Sequence, residues 1–191
     1  MNRFTKAVLS GLVLGGILHI IIILLIPHHA SRDAWSQVGK LGPTDAFHPV
    51  PQSIAGAAGL AEQDPFLIQA VCRFSLANAA REIKASISAP FWSVGLFTPL
   101  GIAVFSANDS ASDQSELRLM VITPLQLAGI QENQDADFSD ALMVETSEQD
   151  LFVVLRAFAS STREAERLTK ELGEASCTAY QPELIDDGRI R

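Results

Sequence analysis

Phe66-Leu67-Ile68-Gln69-Ala70-Val71-Cys72-Arg73-Phe74-Ser75-Leu76 alternates strictly: Ala70, Cys72, Phe74 and Leu76 form one set, Gln69, Val71, Arg73 and Ser75 the other. Successive side chains of an extended chain point to opposite faces, so this is a half-buried strand. The pattern continues downstream, with Ile83, Ala85 and Ile87 against Glu82, Lys84 and Ser86. Phe91 to Phe97 sets Trp92, Val94 and Leu96 on one face and runs into Thr98-Pro99-Leu100-Gly101. Pro at the second and Gly at the fourth position mark a turn, from which Ile102 to Ala107 returns as a hairpin partner. Leu117 to Ile122, Ala141 to Thr146 and Leu151 to Phe158 bring the total to about seven strands. Leu151 to Phe158 is apolar on both faces, which predicts a central strand.

Two helices interrupt the strands. Pro124 to Gln131 follows Thr123 as N-cap, and Ser161-Thr162-Arg163-Glu164 has the form of a capping box opening a helix to about Ser176. Ala165, Leu168, Leu172 and Ala175 are its apolar stripe, and Glu166 and Lys170 form an i,i+4 pair outside. The expected fold is α+β, mainly β: an N-terminal transmembrane helix, then an antiparallel sheet or sandwich (66–180) covered by a C-terminal helix. The tail 181–191, polar with Pro182 and Gly188, reads as mobile.

Upstream, residues 27–65 read as a juxtamembrane connector. Arg32 to Lys40 has the pattern of a short helix, with Trp35 at headgroup level, and then Pro43, Pro49, Pro51, Gly56 and Gly59 punctuate the chain. Before it, Ala7 to Ile26 is a run of 20 residues without a formal charge, preceded by Arg3 and Lys6. As a helix it is about 30 Å long, the thickness of the hydrocarbon core. A cleaved signal peptide is the competing reading, but its apolar region is shorter, and cutting after Ala30 puts His28 where a small residue is wanted. The run is read as an uncleaved signal anchor. Arg3, Lys6 and the terminal amine lie before it, Arg32 and Lys40 after it, and no acid precedes Asp33. That distribution leaves residues 1–6 in the cytoplasm and the bulk of the chain outside. Gly11, Gly15 and His19, spaced by four, share one stripe of the helix, where small residues admit a second backbone and an imidazole seeks a hydrogen-bond partner. The plainer alternative is a Gly-x-x-x-Gly of the kind common in apolar segments.

All 22 acidic residues but only 12 of the 14 basic ones lie beyond the anchor, a net charge of −10 outside the membrane. That disfavours nucleic acid or anionic headgroups as partners, and no Lys/Arg cluster counters it. The 165 residues after the anchor suffice for one domain with a core. Cys72 and Cys177 lack neighbours of the kind a zinc site uses. In an oxidising compartment they pair as a disulfide, with Cys72 inward on its strand and Cys177 after the last turn of the helix, pinning that helix to the sheet. Two separate buried thiols are the alternative.

Candidate chemistry is sparse. Asn108-Asp109-Ser110 with Asp113 and Glu116 offers oxygens for calcium, but its spacing fits no calcium loop, and Glu132 to Asp140 reads as a solvated acidic loop. The histidines are His19, His28, His29 and His48, none on a strand or helix expected in the folded domain. Activation of a Ser or Cys nucleophile therefore has no imidazole base, and no phosphate loop, His-Glu-x-x-His or Gly-x-Ser-x-Gly occurs. No catalytic residue, cofactor or metal is expected.

Asp64-Pro65, Val71-Cys72-Arg73-Phe74, Pro90-Phe91-Trp92-Ser93, Asn108-Asp109 and Thr123-Pro124-Leu125-Gln126-Leu127, in that order, resemble the short membrane-anchored bacterial members of the domain-of-unknown-function family 1254. The resemblance implies a predicted integral membrane protein with a β-rich fold, and extends to the N-terminus with its embedded His19. In longer relatives this domain precedes a second one, so a separate partner chain is expected to supply that part here. The family carries no established reaction. Two functions follow as expectations: an accessory or scaffold protein of the bacterial inner membrane, with its domain in the periplasm and a protein partner or a second copy met through the anchor; or a small-molecule or lipid-binding module, less readily a hydrolase, with a cavity lined by Phe91, Trp92 and Phe97.

Overall fold

The structure, a computed structural model, describes residues 2–51, 66–111, 116–131 and 141–180, less the side chains of 26–33 and 131. Helix α1 (Arg3–Gly39) is followed by strands β1 (His48–Pro49), β2 (Leu67–Ser75), β3 (Arg81–Ser86), β4 (Trp92–Phe97) and β5 (Ala103–Asn108). After one 3₁₀ turn (Asp109–Ala111) come β6 (Glu116–Ile122), α2 (Pro124–Gln131), β7 (Leu142–Glu145), β8 (Asp150–Phe158), α3 (Thr162–Glu174) and β9 (Ser176–Ala179). The strands form two sheets, one ordered β1-β2-β8-β4-β5 and the other β7-β6-β3-β9.

The alternation in β2 explains its position. Ile68, Ala70, Cys72 and Phe74 face the other sheet and join Ile83, Trp92, Leu96, Leu119, Val153 and Leu155 in one buried core. β8 lies at the centre of the five-stranded sheet, paired antiparallel with β2 on one side and β4 on the other. Its double apolarity has a specific cause. Leu151, Val153 and Leu155 fill the core, whereas Phe152 and Val154 on the reverse face pack with Val71 against Val38, Ala34 and Trp35 of α1. The reverse face of the second sheet is covered in the same way, Met120 and Ile122 packing against Leu127 and Ile130 of α2. Thr123 caps that helix reciprocally, its Oγ1 accepting from the Gln126 amide at 3.3 Å while Gln126 Oε1 accepts from the Thr123 amide at 3.1 Å.

The β4–β5 hairpin turns as its sequence requires: the Gly101 amide donates to the Thr98 carbonyl at 2.8 Å, and Gly101 has φ 76°, a conformation that favours glycine.

Several details differ from the expectations. The five-stranded sheet is wholly antiparallel, but β6 and β7 run parallel, because α2 lies between them in sequence and carries the chain back, as parallel pairing demands. β1 and β9 are additional strands, one of two residues and one of four. α3 stops at Glu174 rather than near Ser176, because Ala175 is extended and Cys177 pairs with Ile83 as part of β9. Leu168 and Leu172 are buried as the stripe predicts, and α3 packs against β1 and β2 of one sheet and β3 of the other. On its outer side Lys170 meets Glu174, at 3.7 Å, rather than Glu166. α1 continues through Pro27 to Gly39 as one helix, where the sequence suggested a separate short one. Asp113, Gly56, Gly59, the acidic run 132–140 and the tail 181–191 lie outside the described residues.

Candidate functional site

Cys72 and Cys177 are joined by a disulfide spanning 105 residues, with Cα atoms 6.6 Å apart. Each sits where its strand aims it at the core, so the bond ties β2 of one sheet to β9 of the other. It staples the two sheets, and not α3, because the chain re-enters a strand before Cys177 is reached. A disulfide in this position fits a domain outside the cytoplasm.

The most polar constellation lies where the segment after β3 meets α3. Ser88 Oγ lies 2.7 and 2.9 Å from the two carboxylate oxygens of Glu171, and the Ser88 amide donates to Glu171 Oε2 at 3.0 Å. Arg167, one turn earlier on the same face of α3, donates to the Ser88 hydroxyl, to the Ser88 carbonyl at 3.0 Å and to Glu171 Oε1 at 2.6 Å. Glu164 approaches the same guanidinium at 3.4 Å. Beside them is a cleft of about 490 Å³ bordered by Lys84, Ser86 and Ser176. Burial works against ionisation of Glu171, but the hydrogen bonds from Ser88 and the adjacent guanidinium outweigh it and hold the carboxyl below its ordinary value of 4.5. Lys84 is engaged by Glu82 at 2.9 Å. The group is a clamp between α3 and the β3–β4 connection.

That clamp has a pH signature. The folded pKa of Glu171 lies below its unfolded value, so its contribution is fully present above about pH 4.5 and is lost as pH falls through the lowered value. Glu82, where burial is likewise outweighed by Lys84 and Arg118, acts in the same direction. Ser88→Ala should cost about 1 kcal/mol at neutral pH. The urea midpoints of wild type and variant should converge in acid; a constant gap would show that Ser88 acts through packing alone.

The other sequence-marked residues are not brought to this cleft. Phe91, Trp92 and Phe97 go to three places: Phe91 is 44% exposed, Trp92 is wholly buried in the core, and Phe97 stacks on Phe152 on the reverse face with ring centroids 5.4 Å apart. They line no common cavity, which removes the feature on which the binding-module reading depended. The Phe91 carbonyl instead accepts from the Phe158 amide at 2.9 Å, and the Phe158 ring lies 6.3 Å from that of Phe66. In the candidate calcium segment the Asn108 side chain accepts from Ser110 at 2.7 Å, and no three His, Cys, Asp or Glu side chains gather as a metal site among the described residues. Gly11, Gly15 and His19 lie on the exposed apolar part of α1, where a Cβ added at Gly11 or Gly15 meets nothing within 4 Å. Arg3–Leu25 is long and apolar enough to cross a membrane, with a mean hydropathy of 2.7 and none of it buried. The Ser88–Arg167–Glu171 group left no local mark in the sequence, its halves lying 79 and 83 residues apart.

No family model matches the chain, and no curated protein matches it. Among solved structures it is similar to the VPA0106 protein from Vibrio parahaemolyticus, at 8% identity and a TM-score of 0.52 over 82% of this chain and 39% of that one. It is also similar to an uncharacterised protein from Burkholderia cenocepacia, at 14% identity and a TM-score of 0.48 over 71% of this chain and 35% of that one. The likeness to the Vibrio protein is one of fold, and this chain spans 39% of its length.

Proposed function

We propose that this chain is a single-pass protein of the bacterial inner membrane, with a cytoplasmic N-terminus and a periplasmic sandwich, serving as an accessory or scaffold for a protein partner or second copy met through α1. The observation that carries this reading is the splice between anchor and domain. α1 emerges from its apolar part and, without a break in the helix, packs Ala34, Trp35 and Val38 onto the reverse face of the five-stranded sheet. Arg73 strengthens the joint, its guanidinium 5.0 Å from the Trp35 ring and donating to the Gly42 carbonyl at 3.3 Å. A domain built onto its anchor in this way holds a set position at the membrane, as a scaffold requires. The disulfide, the acidic exterior and the resemblance to the short anchored members of family 1254 support the envelope setting.

The spacing of Gly11, Gly15 and His19 by four, which sets two small residues and an imidazole on one stripe, supports the choice of that stripe as the partner face. Gly15→Leu should therefore reduce crosslinking to a membrane neighbour several-fold in native membranes, and leave the unfolding midpoint of the sandwich unchanged. Wild-type protein recovered repeatedly as a lone monomer from mild detergent, with no crosslinked neighbour, would overturn the proposal.

A further inference from the structure

We infer that the β4–β5 hairpin is a second membrane contact, its tip resting in the headgroup region of the bilayer that holds α1. The inference rests on the anchor reading and adds a surface to it. Ala85 to Asn108 is a run of 24 residues without a formal charge, in a chain otherwise rich in acids. It contains β4, the tip and β5, and β5 is an edge of its sheet. Exposed sheet edges are ordinarily guarded by charged side chains, and this one has none.

The tip is also apolar and exposed, Leu100 at 51% and Ile102 at 61%. Between them, the position of a Cβ on Gly101 lies 3.8 Å from the Ala34 Cβ of α1. Further along α1, Trp35 and Gly39 lie against Arg73 on β2, and Gly42 beyond its end lies against His48 on β1. The chain therefore crosses the sheet from the hairpin tip toward β2 and β1. The tip thus lies beside Ala34, the first side chain of α1 described beyond the apolar span.

The distances meet when the anchor is tilted. Ala34 lies nine residues beyond Leu25, the end of the apolar span, which is about 14 Å of helix. The headgroup zone occupies roughly the first 5–8 Å outside the hydrocarbon, and tilt of the helix brings Ala34 closer to it. A tilt of about 40°, the upper end of the usual range, lowers Ala34 to roughly 10 Å, and the side chains of Leu100 and Ile102 directed at the bilayer then reach the zone. A bilayer fits better than a soluble acidic or basic partner, because the tip offers apolar area and carries no charge of its own with which to select one.

The test uses the full chain in phosphatidylcholine vesicles, with an environment-sensitive fluorophore on a single introduced thiol, the native cysteines being bonded to each other. Ile102→Cys reports the tip, Leu18→Cys the span, and Leu125→Cys a distant site on α2 that is 84% exposed. The label at 102 should be quenched by shallow spin-labelled lipid, emit to the blue of the label at 125 and lose iodide quenching several-fold, independently of salt. The label at 18 should be quenched by deep spin labels. Quenching at 18 with behaviour at 102 like that at 125 would overturn the hairpin contact and leave the anchor standing. Absence of lipid quenching at 18 would overturn the anchor itself. Iodide shielding at 102 without lipid quenching, rising with protein-to-lipid ratio, would assign the hairpin to a second copy instead.

Discussion

Removing the disulfide with Cys72→Ala and Cys177→Ala together should lower the unfolding free energy by about 5 kcal/mol, the chain-entropy value for closing a loop of about 100 residues. The closed loop has a sequence separation of 105 and contains most of both sheets, so the unfolded chain gains almost the whole domain's freedom when it opens. The location adds to the effect. Cys177 lies on a four-residue edge strand held by β3 alone within its sheet, and without the bond that strand has little to keep it in place. Urea unfolding of the full chain in detergent checks this, read against wild type with and without reductant. An unchanged midpoint would mean that the core alone fixes the two sheets.

Trp92→Ala should be nearly as costly, about 3–5 kcal/mol. Trp92 opens β4, is wholly buried, and pairs in register with Ala157 on the central strand. Deleting the indole leaves a void in the middle of the core that close-packed neighbours cannot fill. Phe91→Ala, one residue away on an exposed ring, should fall within about 0.5 kcal/mol of wild type. Equal losses at both positions would contradict the separation of core from surface at this end of β4. The same pair of variants decides whether these aromatics are packing residues or the walls of a ligand site.

That distinction marks what the sequence could reveal. Alternation in β2, β3 and β4 assigned the correct faces because Cβ direction in a strand is fixed by backbone geometry alone. The centrality of β8 was legible because Leu151 to Leu155 is apolar at five consecutive positions, which fills both faces of the strand. What covers the second face was not, since nothing local in Phe152 or Val154 says that α1 returns to meet them. β9 was hidden by its length: Ser176-Cys177-Thr178-Ala179 is too short to establish a period. Parallel pairing of β6 with β7 leaves the same alternation as antiparallel pairing. The signal that could have found it is the α2 helix lying between the two strands, as in a βαβ unit. The clamp at Ser88 joins two segments remote in sequence, so only the folded chain shows it.

The continuity of α1 has a consequence for how two copies, or a copy and its partner, would stand beside one another. At 3.6 residues per turn, Val38 lies about 140° around the helix from Gly15, so the stripe and the sandwich occupy nearly opposite sides of the same rod. A neighbour seated on Gly11 and Gly15 leaves each sandwich pointing outward from the pair, free of collision. In a chain anchored as proposed, the azimuth of the helix would set the heading of the domain, so that a turn of one within the bilayer would turn the other outside it.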